Sequence, residues 1–125
     1  MTKRVLDVGQ CQADHGAIRG LLEVHFAAEV VQAHGLDDTL AHLRAGRFDL
    51  VLINRKLDAD SGDGMDVLRA IKADPRLADL PVMLVTNYAQ HQQAALAAGA
   101  QPGFGKAQLD APQTHAALAR VLEGA

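Results

Sequence analysis

Short apolar runs alternate with longer helical patterns along the whole chain, and this alternation constrains the fold more than any other feature. The runs are Arg4–Val8, apolar but for Asp7, then Ala28–Gln32 (AEVVQ), Asp49–Ile53 (DLVLI), Pro81–Thr86 (PVMLVT) and a weaker Gly103–Lys106 (GFGK). Unbroken Val/Leu/Ile runs of about five residues mark strands buried on both faces, as in a parallel sheet. Between them lie helical patterns. Ala13–His25 places Ile18, Leu21 and Leu22 on one face, and Leu36–Ala45 repeats Leu36, Leu40 and Leu43 before Gly46. Gly64–Ala73 carries Met65, Leu68 and Ile71 and stops at Asp74-Pro75. Ala89–Ala98 ends at Gly99, and Asp110–Glu123 carries Leu118, Val121 and Leu122, with Asp110 as the expected N-cap and Pro112 in the first turn. Five β-α units in succession predict a parallel sheet with helices on both faces and right-handed crossovers. Sites in such sheets form beyond the carboxyl ends of the strands, which draws attention to Gly9, Gln10, Asn54, Thr86 and Lys106.

The 125 residues are expected to form one domain, residues 1–125, with no linker or repeat. Twelve Lys and Arg against 15 Asp and Glu leave a net charge of −3, and aromatics are only 3%, which argues against a nucleic-acid partner. No run approaches the ~18 apolar residues of a membrane span. The start, Met1 to Asp7, lacks the apolar stretch and cleavage site of a signal peptide. The single Cys11 has no internal disulfide partner. A cytoplasmic location is the expectation.

Three segments are the most specific: Asp49-Leu50-Val51-Leu52-Ile53-Asn54, Gly64-Met65-Asp66-Val67-Leu68-Arg69-Ala70-Ile71, and Leu80-Pro81-Val82-Met83-Leu84-Val85-Thr86. With Ala97-Ala98-Gly99-Ala100 and Lys106 after them, the chain resembles a response-regulator receiver domain over nearly its whole length. The resemblance implies a flavodoxin-like, doubly wound five-stranded sheet in the order 2-1-3-4-5 with five helices. It also implies a site: an aspartate ending the third strand accepts a phosphoryl group. Two acids after the first strand hold Mg²⁺, and a Thr or Ser and a Lys bind the phosphoryl oxygens. An aromatic on the fifth strand reports the change.

Residue by residue, the chain departs from that pattern. The acid pair falls on Gly9 and Gln10, the phosphoacceptor on Asn54, the switch aromatic on Gly103, and the Pro after the Lys on Ala107. Thr86 and Lys106 match, and the loop from Asn54 to Gly64 is about two residues longer than the family's. An amide is a poor nucleophile. Mg²⁺ prefers carboxylate oxygens in near-octahedral geometry. The expectation is a degenerate receiver, or pseudo-receiver: not an enzyme, without metal or cofactor, acting by phosphorylation-independent protein–protein interaction. Asn54, Thr86 and Lys106 would persist as a structural polar cluster. One alternative is a small-ligand or anion sensor in the altered pocket of Gly9, Gln10, Asn54, Thr86 and Lys106, where Gly9 leaves space and Arg55 and Lys56 lie beside it. Another is phosphorylation of a shifted aspartate in the 58–63 loop.

Several local features carry readings of their own. Asp7 interrupts an apolar strand on the face of Gly9, which makes it a candidate partner for Lys106. The loop from Asp58 to Gly64 superficially resembles a calcium loop. It fails the spacing, with Gly62 at position five, Asp63 at six and Arg69 at twelve. Asp14-His15-Gly16 lacks the spacing of a cobalamin loop, and Gly9-Gln10-Cys11-Gln12 is a poor flavin phosphate loop. Cys11 reads as a small packing residue, and none of the six His forms a ligand pair on one helix. Between Asn87 and Gln101 there is no charged residue apart from any charge on His91. Tyr88, Gln90, His91, Gln92 and Gln93 therefore suit an interface with a signalling partner, or a homodimer through the fourth and fifth helices.

Overall fold

The computed structural model describes residues 2–58 and 62–124. Its strands are β1 (Arg4–Val8), β2 (Glu29–Ala33), β3 (Leu50–Asn54), β4 (Val82–Val85) and β5 (Gln101–Phe104). They pair in parallel in the order β2-β1-β3-β4-β5, as the sequence predicts. The helices are α1 (Gln12–Phe26), α2 (Leu36–Ala45), α3 (Gly64–Ala73), α4 (Ala89–Ala97) and α5 (Pro112–Leu122). This is the flavodoxin-like doubly wound arrangement.

Alternation along the central strands sorts the core into two layers. Leu6, Val8, Val51, Ile53, Val82 and Leu84 pack with Leu43 of α2, Leu68 and Ile71 of α3 and Ala95 of α4. Val5, Leu50, Leu52, Met83 and Val85 pack on the other face with Ile18 and Leu22 of α1 and Leu118 and Leu122 of α5. Each Val, Leu, Ile or Met side chain among them contributes roughly 1.5–3 kcal/mol on full burial. Asp7 alternates with Val5 and falls on the α1 side, completely buried.

Most boundaries lie within a residue or two of expectation. Two departures bear on the site. β5 covers Gln101–Phe104, earlier than Gly103–Lys106, and its register against β4 shifts between Met83 and Val85. Lys106 therefore opens a 3₁₀ turn, Lys106–Gln108, and does not end a strand. α5 starts at Pro112 with Ala111 at the cap position, so Asp110 is not its N-cap. Proline at the first helical position brings no unsatisfied N–H of its own.

Candidate functional site

The strand order reverses between β1 and β3, and the site residues gather at the carboxyl ends of the strands around that point. Gly9 follows β1 with φ +77°, a conformation that favours glycine. A Cβ placed there would stand 2.6 Å from Leu57 Cδ2 and 3.2 Å from Leu57 Cα. Leu57, itself buried, thus fills the space above Gly9, and the room expected there for a ligand is absent. The backbone explains why: Lys56 bridges Asp63, Leu57 N donates to Gly62 O at 2.9 Å, and Asp58 N donates to Gly9 O at 3.1 Å. Lys56, Leu57 and Asp58 are thereby held over the β1 corner.

Asn54, at the end of β3, is tied into the same corner. Its Nδ2 donates to Gly9 O at 3.1 Å and to Lys56 O at 2.7 Å. Two carbonyl acceptors fix which end of the amide faces them. Gln10 is completely buried. Its amide lies against the Asp7 carboxylate and draws that pKa down, yet neither of its polar atoms reaches hydrogen-bond geometry.

Asp7 does not hold Lys106. Its Oδ2 lies 2.7 Å from Nδ1 of His15, a largely buried residue of α1, and its Oδ1 has no partner. Burial pushes its carboxyl up to about 6, against the opposing pull of His15, Gln10 and Lys106. Lys106 Nζ donates instead to Asp14 Oδ2 at 2.7 Å. That contact holds the Asp14 carboxyl below its ordinary value, assisted by Cys11, whose Sγ lies 3.3 Å from the same oxygen. Cys11 is exposed, so it is not the packing residue expected.

Thr86 N donates to Phe104 O, and its Oγ1 accepts Tyr88 N–H at 3.3 Å and lies 3.1 Å from His91 Nδ1. The His91 ring meets Tyr88 edge-on at 5.3 Å. Asn54, Thr86 and Lys106 do share one cleft, of about 460 Å³, with Arg55, Lys56 and His91. Each hydrogen-bonds to a neighbour outside the trio, so they do not form the polar cluster expected. None of the lining side chains is acidic.

Gln92 and Gly103 are coupled in a way the sequence reading missed. Gln92 Nε2 donates to Leu84 O at 2.9 Å, and Gly103 N donates to Gln92 Oε1 at 3.1 Å. The side-chain amide bridges β4 and β5 where their register slips. A Cβ on residue 103 would meet Leu84 O and stand 3.0 Å from Gln92 Oε1. No aromatic fits there while Gln92 holds this position. Gln92 therefore belongs to the sheet seam and not to a free surface, whereas Tyr88, Gln90 and Gln93 are exposed. Leu96 joins them at 45% exposure, unnoticed in the sequence because it reads as core.

In the loop after β3, Asp58 contacts His34 at 3.1 Å. Asp63 caps α3, accepting from Met65 N at 2.8 Å, and pairs with Arg55 at 2.9 Å. Asp60 lies outside the described residues. Among the described residues no group of three or more His, Cys, Asp or Glu could hold a metal, and no helix is long and apolar enough to cross a membrane.

Comparison with known proteins agrees with this architecture. The phosphorylated cyanobacterial phytochrome response regulator RcpA superposes with a TM-score of 0.80 at 23% identity, covering 100% of this chain and 97% of that one. Chemotaxis response regulator CheY4 of Vibrio cholerae gives 0.77 at 20% identity, covering 98% and 100%. These likenesses speak for the fold. In sequence, the chemotaxis protein CheY of Pseudomonas aeruginosa is 31% identical over 90 residues, 72% of this chain and 71% of that protein. The model of the response regulator receiver domain matches residues 12–118. With fold, strand order, Thr86 and Lys106 in place, and that match spanning most of its length, the chain belongs to the response regulator receiver family.

Proposed function

We propose that this receiver works in two-component signalling without phosphotransfer and without a metal. It is a module that binds a protein partner, not an enzyme. The observation that carries this reading is Asn54, whose amide protons are both committed to backbone carbonyls, Gly9 O and Lys56 O. A carboxylate in that position would set its oxygens against two carbonyl oxygens. The neighbouring positions support the same reading. Gly9 has no side chain and is covered by Leu57, and Gln10 is buried. Phosphorylation in the 58–63 loop is less well supported, because Asp58 is engaged by His34 and Asp63 by Arg55 and the start of α3.

The partner face is α4, with Tyr88, Gln90, Gln93 and Leu96 outward in a stretch free of Asp, Glu, Lys and Arg. A surface depleted of charge and carrying an exposed Tyr suits a protein contact. The test is incubation with Mg²⁺ and acetyl phosphate, read by intact mass and amide NMR. The expected result is unchanged mass and no saturable Mg²⁺ shift. A phosphoryl adduct would overturn the reading.

The basic lining of the cleft favours a second reading, binding of a small anion at Lys56, beside Arg55 and Lys106, which are paired with Asp63 and Asp14. Titration with phosphate or sulfate tests it. Saturable shifts centred on Lys56 and Thr86, lost in Lys56→Ala, support it. Shifts spread over the surface count against it.

A further inference from the structure

Beneath the first turn of α1 lies a titratable pair for which the receiver chemistry has no use. Asp7 is fully buried on a central strand, in register with Leu52 on β3 and Gln32 on β2, neither of them charged. α5 packs against the same layer, and its buried residues, Thr114, Ala117, Leu118 and Leu122, are uncharged. The groups acting on Asp7 are therefore His15, at 2.7 Å, the Gln10 amide, and the ammonium of Lys106. Lys106 is bonded to Asp14, the residue next to His15 on α1, and Cys11 touches Asp14 from outside.

We propose that the Asp7–His15 pair is a proton-operated switch that decides which carboxylate, Asp14 or Asp7, holds Lys106. With one proton between them the pair is neutral, and Lys106 remains with Asp14. When that proton leaves, a net negative charge is buried, with Oδ1 of Asp7 lacking a donor. An uncompensated buried charge is strongly unfavourable. Lys106 is the cation within electrostatic reach. The two carboxylates are unequal competitors for it. Asp14 is 36% exposed and remains solvated without the lysine, whereas Asp7 has no access to water. Raising the pH should thus draw Lys106 inward from Asp14 to Asp7, and out of the cleft that it lines. The two members of a tightly coupled pair titrate as a unit, and burial has moved the carboxyl toward neutrality. The inference does not depend on what the cleft binds.

The test is an NMR titration of the intact chain from about pH 5 to about pH 9, following the His15 ring and the Lys106 Cε–Hε resonances. The expected result is one midpoint shared by both. In Asp7→Asn the Lys106 transition should vanish. In Asp14→Asn, a substitution at a partly exposed site, Lys106 loses its low-pH partner and should reach its high-pH position at a lower pH than in the parent protein. A Lys106 signal that stays flat through the His15 transition overturns the proposal. So does one that titrates in Asp14→Asn as in the parent protein.

Discussion

The side-chain amide of Asn54 donates to the carbonyl of Gly9 at 3.1 Å, joining the end of β3 to the corner after β1. A second bond, to Lys56 O, anchors the loop that carries Leu57. Asn54→Asp removes both donors and directs a charge at two carbonyls. Losing these part-buried and exposed hydrogen bonds costs about 1 kcal/mol. Urea denaturation should show that loss, with the midpoint partly recovered at low pH, where the new carboxyl is protonated. The variant should form no phosphoryl adduct, because Gly9 and Gln10 still offer Mg²⁺ no carboxylate. An adduct formed by Asn54→Asp with Mg²⁺ and acetyl phosphate would refute this account of the site.

Gly9 and Leu57 form a matched pair. Gly9→Ala places a methyl group at φ +77° against Leu57 Cδ2, at 2.6 Å. The left-handed backbone alone costs a non-glycine residue about 1 kcal/mol, and the overlap adds to it. Leu57→Ala leaves a cavity and costs about 2–5 kcal/mol by itself. The double variant should lose less than the sum of the two, because the new methyl enters vacated space. Denaturant midpoints of the four proteins measure that coupling, and strict additivity would show that the two residues do not compete.

The sheet was legible because unbroken apolar runs, buried on both faces, write strands such as Leu50–Asn54 directly into the residues. The departures from the family's pattern were also legible, since Gly9, Gln10 and Asn54 are identities at its site positions. Their packing was not. Leu57 reads as an ordinary loop leucine, and nothing local says that it covers Gly9. The pairing of Asp7 with His15 crosses from strand to helix, and that of Lys106 with Asp14 spans 92 positions. The sequence offers Asp7 as the partner of Lys106, and only the packing of α1 shows that Asp14 holds it. Gln92 was misjudged for a related reason. An uncharged polar helix looks like a free face unless the slip between β4 and β5 is known.

That slip yields a further prediction. Gln92→Leu deprives Leu84 O of its donor and Gly103 N of its acceptor. Part-buried groups left unpaired cost about 1 kcal/mol each, so thermal unfolding should move downward. Gln92→Glu should also destabilise, since a carboxylate has no N–H for Leu84 O. Gln93→Lys, on the exposed side of α4, should leave the unfolding temperature nearly unchanged. Equal tolerance at 92 and 93 would remove Gln92 from the seam and return it to the surface.

The buried carboxyl of Asp7 sets how stability depends on pH. Its pKa is about 6 in the folded chain against an ordinary 3.8, so the folded state binds this proton more tightly than the unfolded state. For a group raised on folding, the contribution is complete below the unfolded pKa and is lost as pH rises through the folded one. The window therefore runs from about pH 4 to just above pH 6. At 1.36 kcal/mol per unit, the loss is about 3 kcal/mol. Asp14 and Asp38 are shifted downward from 3.8 and act in the opposite direction, so their contributions change below this window. The stability of the parent minus that of Asp7→Asn should fall by about that amount across the window, read from urea curves at several pH values. A difference independent of pH would mean that Asp7 is no more protonated in the folded chain than in the unfolded one.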